Sequence, residues 1–228
     1  GRKYKKKVDS QLLVATMRSA ATQVTNKFVY SQVAGGYKTA EVKKALDLLI
    51  KAGILIPVTH TDGNGLPLGD EADESYRKLL LLDTGLLLRL LNMSMGDISS
   101  VTTHILTATA ADLVNKGPMA EMLAGLEVLH YLSPNIHHDL FYWVRQAKNS
   151  LAEIDYLLSR DMKVLPLEVK SGVQGGMKSL WDFMRDKKLS QAIRCSLENF
   201  GKFDYIDSKA DNAVRHVEIV PLYAISQM

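Results

Sequence analysis

One run limits the possible folds more than any other: KVLPLEVK, residues 163–170. Side chains of a strand alternate between its two faces. Val164 and Pro166 therefore share the face of Glu168, while Leu165 and Leu167 share the face of Val169. A strand that is apolar on both faces is covered on both, so it belongs inside a sheet flanked by other layers. A carboxylate in such a strand must be paired, protonated or bound to a cation, because an isolated buried charge is too costly.

The preceding segment, AEIDYLLS, reads as a neighbouring strand joined through the turn RDM. Its alternation puts Glu153 and Asp155 on one face and Ile154 and Tyr156 on the other. If the hairpin register aligns them, Asp155 and Glu168 can share a divalent ion. Mg²⁺ or Mn²⁺ suits such a site: Mg²⁺ takes hard oxygen ligands and is commonly held by one or two carboxylates plus substrate phosphate. Lys170, on the face of Glu168, would position the attacking hydroxide or stabilise charge on a phosphate. Glu121, in the first turn after Pro118, is placed to add a third acid. The expected catalytic set is Glu121, Asp155, Glu168 and Lys170, with Asp155, Glu168 and Glu121 as metal ligands.

Around this hairpin the sequence predicts a helix from Pro118 to about Leu132, a strand at LFYWVRQ, the two strands above, a helix at KSLWDFMRDK, a strand at SQAIRCS and a terminal strand at VEIVPLYAI. Helix, three strands, helix, strand describes a small α/β sandwich around a mixed sheet.

The first half has a different plan. Helical spacing covers Val8 to about Ala20, with Asp9 or Ser10 as cap. A second short helix is expected over Asn26 to Val33. A third runs from Thr39 to about Lys51, with Val42, Ala45, Leu46, Leu49 and Ile50 in one stripe and Gly53 ending it. Strands at ILIPV and YRKLLLLD flank a polar, acidic loop. Three helices and a hairpin form a winged helix-turn-helix plan. If that module binds DNA, the helix from Thr39 would be the recognition helix and Lys38, Lys43 and Lys44 the contacting residues. The acids of that loop (Asp62, Asp70, Glu71, Asp73, Glu74) argue against phosphate contact there. The stretch GGYKT lacks the spacing of a phosphate-binding loop. A helical connector follows, and the domain boundary falls near residue 95, giving a winged-helix region over 1–95 and a nuclease-like domain over 96–228.

Composition narrows the classes. A 46% hydrophobic fraction over 228 residues supports a real core. The lone cysteine, Cys195, rules out an internal disulfide and fits a cytoplasmic setting. The longest apolar run, LLLLDTGLLLRLL, is interrupted by Asp83 and Arg89, so no membrane association is expected. Net charge is +3, much of it in RKYKKK near the N-terminus. That permits DNA binding without requiring it.

D-x(12)-E-V-K preceded by a helical glutamate resembles the PD-(D/E)XK, restriction-endonuclease-like superfamily. KGPMAEMLAGLEVL, FYWVRQ, AEIDYLL, LPLEVKSG, KSLWDF, AIRCSLENFG and VPLYAI, in that order, are similar to the C-terminal domain of unknown function that follows an AAA-type ATPase module in many bacterial and archaeal proteins. KLLLLDTG resembles the end of the winged-helix region found there. The likeness spans nearly the whole chain and departs at Ile154, where the superfamily name has proline. It implies an α+β chain whose ATPase lies outside this sequence, so that ATP would act only through that module, with the ATPase itself and DNA as partners and a homo-oligomer compatible. Two other functions fit the same residues: a non-catalytic interaction or regulatory domain of the ATPase, and a DNA-binding module without cleavage.

Overall fold

The computed structural model describes residues 8–92, 116–132, 138–145, 152–171 and 176–228. The basic run at 2–7 and residues 93–115 of the expected helical connector lie outside the described residues. The described chain is mixed α and β, with an eight-stranded sheet as its largest element. No described helix is long and apolar enough to cross a membrane.

Contacts divide the chain into two units, and the division is not a single cut. One comprises Gly1–Pro57 with Lys78–Val101, the other Val58–Arg77 with Thr102–Met228. In the first unit, α1 (Ser10–Thr22) starts at Asp9, whose side chain accepts the Gln11 N–H at 2.9 Å. Helix α2 (Thr39–Lys51) buries Val42, Ala45, Leu46 and Leu49 and ends ahead of Gly53, which takes a left-handed φ of 69°. A short α3 (Thr84–Leu90) is capped by Asp83, which accepts the Leu86 N–H at 2.8 Å.

The helix expected over Asn26 to Val33 is reduced to one 3₁₀ turn, Tyr30–Gln32. The cause is local. The Gln23 side chain accepts the Val29 N–H at 2.7 Å and donates to the Val29 carbonyl at 3.3 Å, so that backbone is held extended and cannot join a helix.

Strands β1 (Leu55–Thr61) and β2 (Ala72–Leu81) form the expected hairpin, but its outer part is not a free wing. β1 pairs in parallel with β3 (Leu140–Val144), Val58 opposite Leu140. The loop after β1 lies against the core of the second unit: a Cβ on Gly63 would fall 2.9 Å from a Leu157 methyl and 3.3 Å from the Phe183 ring. Leu68 joins the same core. An apolar seat for the loop explains why the hairpin is absorbed into the sheet.

From β3 the sheet continues through β4 (Glu153–Arg160) and β5 (Lys163–Val169), an antiparallel meander. Helix α5 (Lys178–Asp186) crosses over to β6 (Gln191–Ser196), parallel to β5. β8 (Ala213–Pro221) pairs in parallel with β6, and β7 (Gly201–Asp207) lies at the edge, antiparallel to β8. The order is β2-β1-β3-β4-β5-β6-β8-β7. β5 is buried along all but its first residue, as its two apolar faces demand. On one side Leu180, Phe183 and Met184 of α5 pack with Trp143, Ile154, Leu157 and Val164. Helix α4 (Lys116–Tyr131) packs against β5 and the C-terminal 3₁₀ turn Leu222–Gln227. That turn replaces the end of the expected terminal strand, because Pro221 has no N–H to continue a ladder. Strand β7 was not anticipated.

Asp207 ties α5 to the β7–β8 hairpin. It is fully buried and accepts from Arg185 at 3.0 and 3.2 Å and from Arg215 at 3.4 Å. Arg185, by hydrogen bonding, holds the Asp207 carboxyl below its ordinary value.

Candidate metal-binding and catalytic site

The site begins with a break in strand pairing. From Trp143 to Phe141 is a step of two residues on β3, while the matching step on β4, Ile154 to Leu157, is three. The extra residue falls at Asp155–Tyr156, a β-bulge, which re-aims side chains that strict alternation would separate. Both residues consequently reach α4. The Tyr156 hydroxyl donates to the Glu121 carbonyl at 2.7 Å, and the Asp155 carboxylate joins that of Glu121. The expected placing of Tyr156 opposite Asp155 is corrected by this bulge.

One carboxylate oxygen from each of Glu121, Glu153 and Asp155 lies within 4.8 Å of the others, and all three residues are half-buried. Two come from β4 and one from the first turns of α4. Three carboxylates this close call for a cation, a shared proton or a basic neighbour. The fully buried Tyr156 phenol is pushed well above its ordinary value by burial and then by Glu121, Asp155 and Glu153.

Glu168 stands next to this group but outside it. The β4–β5 ladder runs from Arg160 opposite Lys163 to Tyr156 opposite Leu167, and one further step sets Asp155 opposite Glu168. At that step a side chain enters the pairing: Asp155 Oδ2 accepts the Val169 N–H at 2.7 Å. Glu168 is 6% exposed. Its Oε1 is bound by the Lys170 ammonium, while Oε2 is buried without a hydrogen-bond partner. Burial first, and then the charge of Asp155, raise the Glu168 carboxyl to about 7, with Lys170 opposing. Lys170 is fixed through its backbone N–H, which donates to the Cys195 carbonyl at 2.7 Å, and its side chain is 23% exposed. The Cys195 thiol is raised by burial and by Asp155, which suits a buried, inert sulfur.

The fold thus gathers Glu121 with Asp155, and Glu168 with Lys170, as two adjoining pairs, and adds Glu153 to the first. Glu153 was recognisable as sharing a face with Asp155, but nothing in the motif marked it as a site residue. The donors are hard oxygens, the set that Mg²⁺ or Mn²⁺ takes. The orphaned Oε2 of Glu168 is the sort of buried polar atom that needs a bound group to explain it.

In the other unit, Lys38, Lys43 and Lys44 are exposed at the start of α2. The Lys38 N–H donates to Glu41 at 3.1 Å, and the Lys43 ammonium sits 5.4 Å from the Tyr30 ring centroid. In the loop after β1, Glu71 accepts twice from Asn64, at 2.8 and 3.0 Å, and Lys187 donates to Asn64 at 2.6 Å.

Residues 2–97 match a family described as a domain of unknown function (DUF8612), and residues 116–223 match a second domain of unknown function (DUF4143). No curated protein and no solved structure matches the chain.

Proposed function

We propose that the sheet unit is a nuclease-like domain that cleaves phosphodiesters with a divalent cation, working as part of an ATPase-linked protein. The observation that carries this reading is Glu168: a carboxylate buried in a central strand, with one oxygen unpartnered, the other held by Lys170, and the charge of Asp155 acting on it. The order α4-β3-β4-β5-α5-β6 supports it, since it is the helix, three strands, helix, strand order of the resemblance stated above. The match to a domain typical of AAA-ATPase-associated proteins supports the link to an ATPase.

Glu121 and Asp155 would hold Mg²⁺ or Mn²⁺, with Glu168, the third expected ligand, at the border of the seat. Bound there, the ion would supply Lewis acidity toward a phosphoryl oxygen and an acidified water. The protein's own groups do the rest. The Tyr156 hydroxyl ties α4 to β4 and so fixes where Glu121 stands. Val169 N–H orients Asp155 by occupying one of its oxygens. Lys170 carries a positive charge at the partly exposed end of β5, where a phosphate entering from solvent meets it. Helix α2, with Lys38, Lys43 and Lys44, is the element proposed to engage the DNA backbone.

The test is a cleavage assay on supercoiled, linear and single-stranded DNA with Mg²⁺ or Mn²⁺, on this chain and on protein containing the ATPase, beside Lys170→Ala. Metal-dependent nicking lost in Lys170→Ala is expected. Absence of cleavage from both proteins on all substrates contradicts the reading. One observation favours a non-catalytic interaction domain instead: Lys170 is already engaged by Glu168, as in a structural ion pair. On that reading Glu168→Ala costs stability and leaves ATPase-linked function intact.

A further inference from the structure

We propose that Glu153 is a ligand of the divalent cation. With Glu121 and Asp155 it completes a three-carboxylate seat between α4 and β4, and Glu168 remains paired with Lys170 at the seat's border. This deepens the metal-dependent reading, because the nuclease-like motif contains Asp155 and Glu168 but assigns nothing to Glu153.

Three observations converge on it. The first is distance: one oxygen each from Glu121, Glu153 and Asp155 lies within 4.8 Å of the other two. Oxygens on opposite sides of Mg²⁺ are about 4.1 Å apart, and around the larger Ca²⁺ about 5 Å. Only one pair among three octahedral ligands can be trans; the other pairs come to about 2.9 Å, so the three carboxylates must draw together as the ion binds. The second is the bulge. Without the extra residue, Asp155 and Tyr156 would point to opposite faces. With it, Asp155 joins Glu121 while Tyr156 bonds the carbonyl of that same residue, so the helix and the strand that supply the acids are fastened together at the seat itself. The third is independent of the acids' own grouping: the adjoining Glu168 is more than nine-tenths buried, and its Oε2 has no partner. A bound ion and its water shell would provide one.

Glu168 is less suited to be the primary ligand because its other oxygen is already bound by the Lys170 ammonium. Mg²⁺ keeps several waters and needs few protein ligands. A second-sphere contact from Glu168, through such a water, leaves its pair with Lys170 intact.

The experiment measures Mn²⁺ binding to the 228-residue chain by calorimetry and by the loss of the free-ion EPR signal. It compares wild type with Glu153→Gln, Glu153→Asp and Glu168→Gln, each checked for folding by circular dichroism. Wild type is expected to bind one Mn²⁺. Glu153→Gln should lose at least tenfold in affinity, Glu153→Asp less than that, and Glu168→Gln less than threefold. Wild-type affinity in Glu153→Gln, or a greater loss in Glu168→Gln than in Glu153→Gln, overturns the assignment. Should Glu153→Gln not fold, undiminished affinity in Glu153→Asp overturns it equally, since shortening the side chain must disturb a direct ligand. The outcomes separate from the broader reading: Mn²⁺ bound through Glu153 with no DNA cleavage removes hydrolysis and keeps the seat, and cleavage with Glu153 dispensable does the reverse.

Discussion

Replacing Glu168 with glutamine should make the metal-free protein more stable at pH 8, although it removes a central residue of the site. The Glu168 carboxyl is raised from an ordinary 4.5 to about 7, chiefly by burial. An unfolded chain releases this proton near pH 4.5, whereas the folded chain keeps it until about pH 7. Between those values the folded state binds more protons, so its stability falls as pH rises and levels off above pH 7. Each pKa unit corresponds to about 1.4 kcal/mol, which makes the total fall on the order of 3 kcal/mol. Glutamine has nearly the same shape, needs no proton to be neutral and still offers an oxygen to Lys170. Thermal melts in EDTA at half-unit steps from pH 4 to 8.5 should show wild type and Glu168→Gln converging near pH 4.5. They should diverge by several degrees at pH 8, with the variant higher, as a chain of this size shifts about 2–4 °C per kcal/mol. Parallel curves, or a variant that melts lower at pH 8, would refute the claim that the fold carries this carboxylate at a cost to its stability.

Four further outcomes follow from the same structure. Tyr156→Phe removes the hydroxyl that holds the Glu121 carbonyl, and should lower stability by about 1 kcal/mol and weaken Mn²⁺ binding, read by denaturant melts and calorimetry. Gly63→Ala places a methyl group against Leu157 and Phe183 at a left-handed φ of 66°, and should cost about 1–3 kcal/mol in urea unfolding. Asp207→Asn should melt lower at neutral pH because Arg185 and Arg215 lose their shared carboxylate. The wild type's advantage should be present above pH 4 and vanish as acid protonates Asp207, whose folded value is lowered. Joint substitution of Lys38, Lys43 and Lys44 by alanine should weaken DNA binding and flatten its dependence on log salt by about 0.9 per lost phosphate contact, measured by fluorescence anisotropy.

Much of the architecture could be read from the residues. Apolar side chains on both faces of KVLPLEVK demand a covered strand, and β5 is one. The stripe through Val42, Leu46 and Leu49 forms the buried face of α2. Features set by long-range contacts were less legible. β7 reads GKFDYID, whose exposed face carries Lys202 and Asp204; it is a strand only because β8 pairs with it from Gly201 to Asp207. The segment after Asn26 has helical spacing, but the Gln23 amide claims the Val29 backbone. At the site, the alternation of Glu153 with Asp155 was visible, whereas the bulge depends on how β3 and β4 register. That register decides which acids meet Glu121, so the sequence could name Asp155 and Glu121 without revealing Glu153 beside them.

The most direct measurement is anomalous diffraction from a crystal of this chain soaked in Mn²⁺. The account predicts a single strong peak within coordination distance of Glu121, Glu153 and Asp155, close to Glu168 Oε2 and Lys170. A crystal with these carboxylates ordered and no Mn²⁺ peak among them would contradict it.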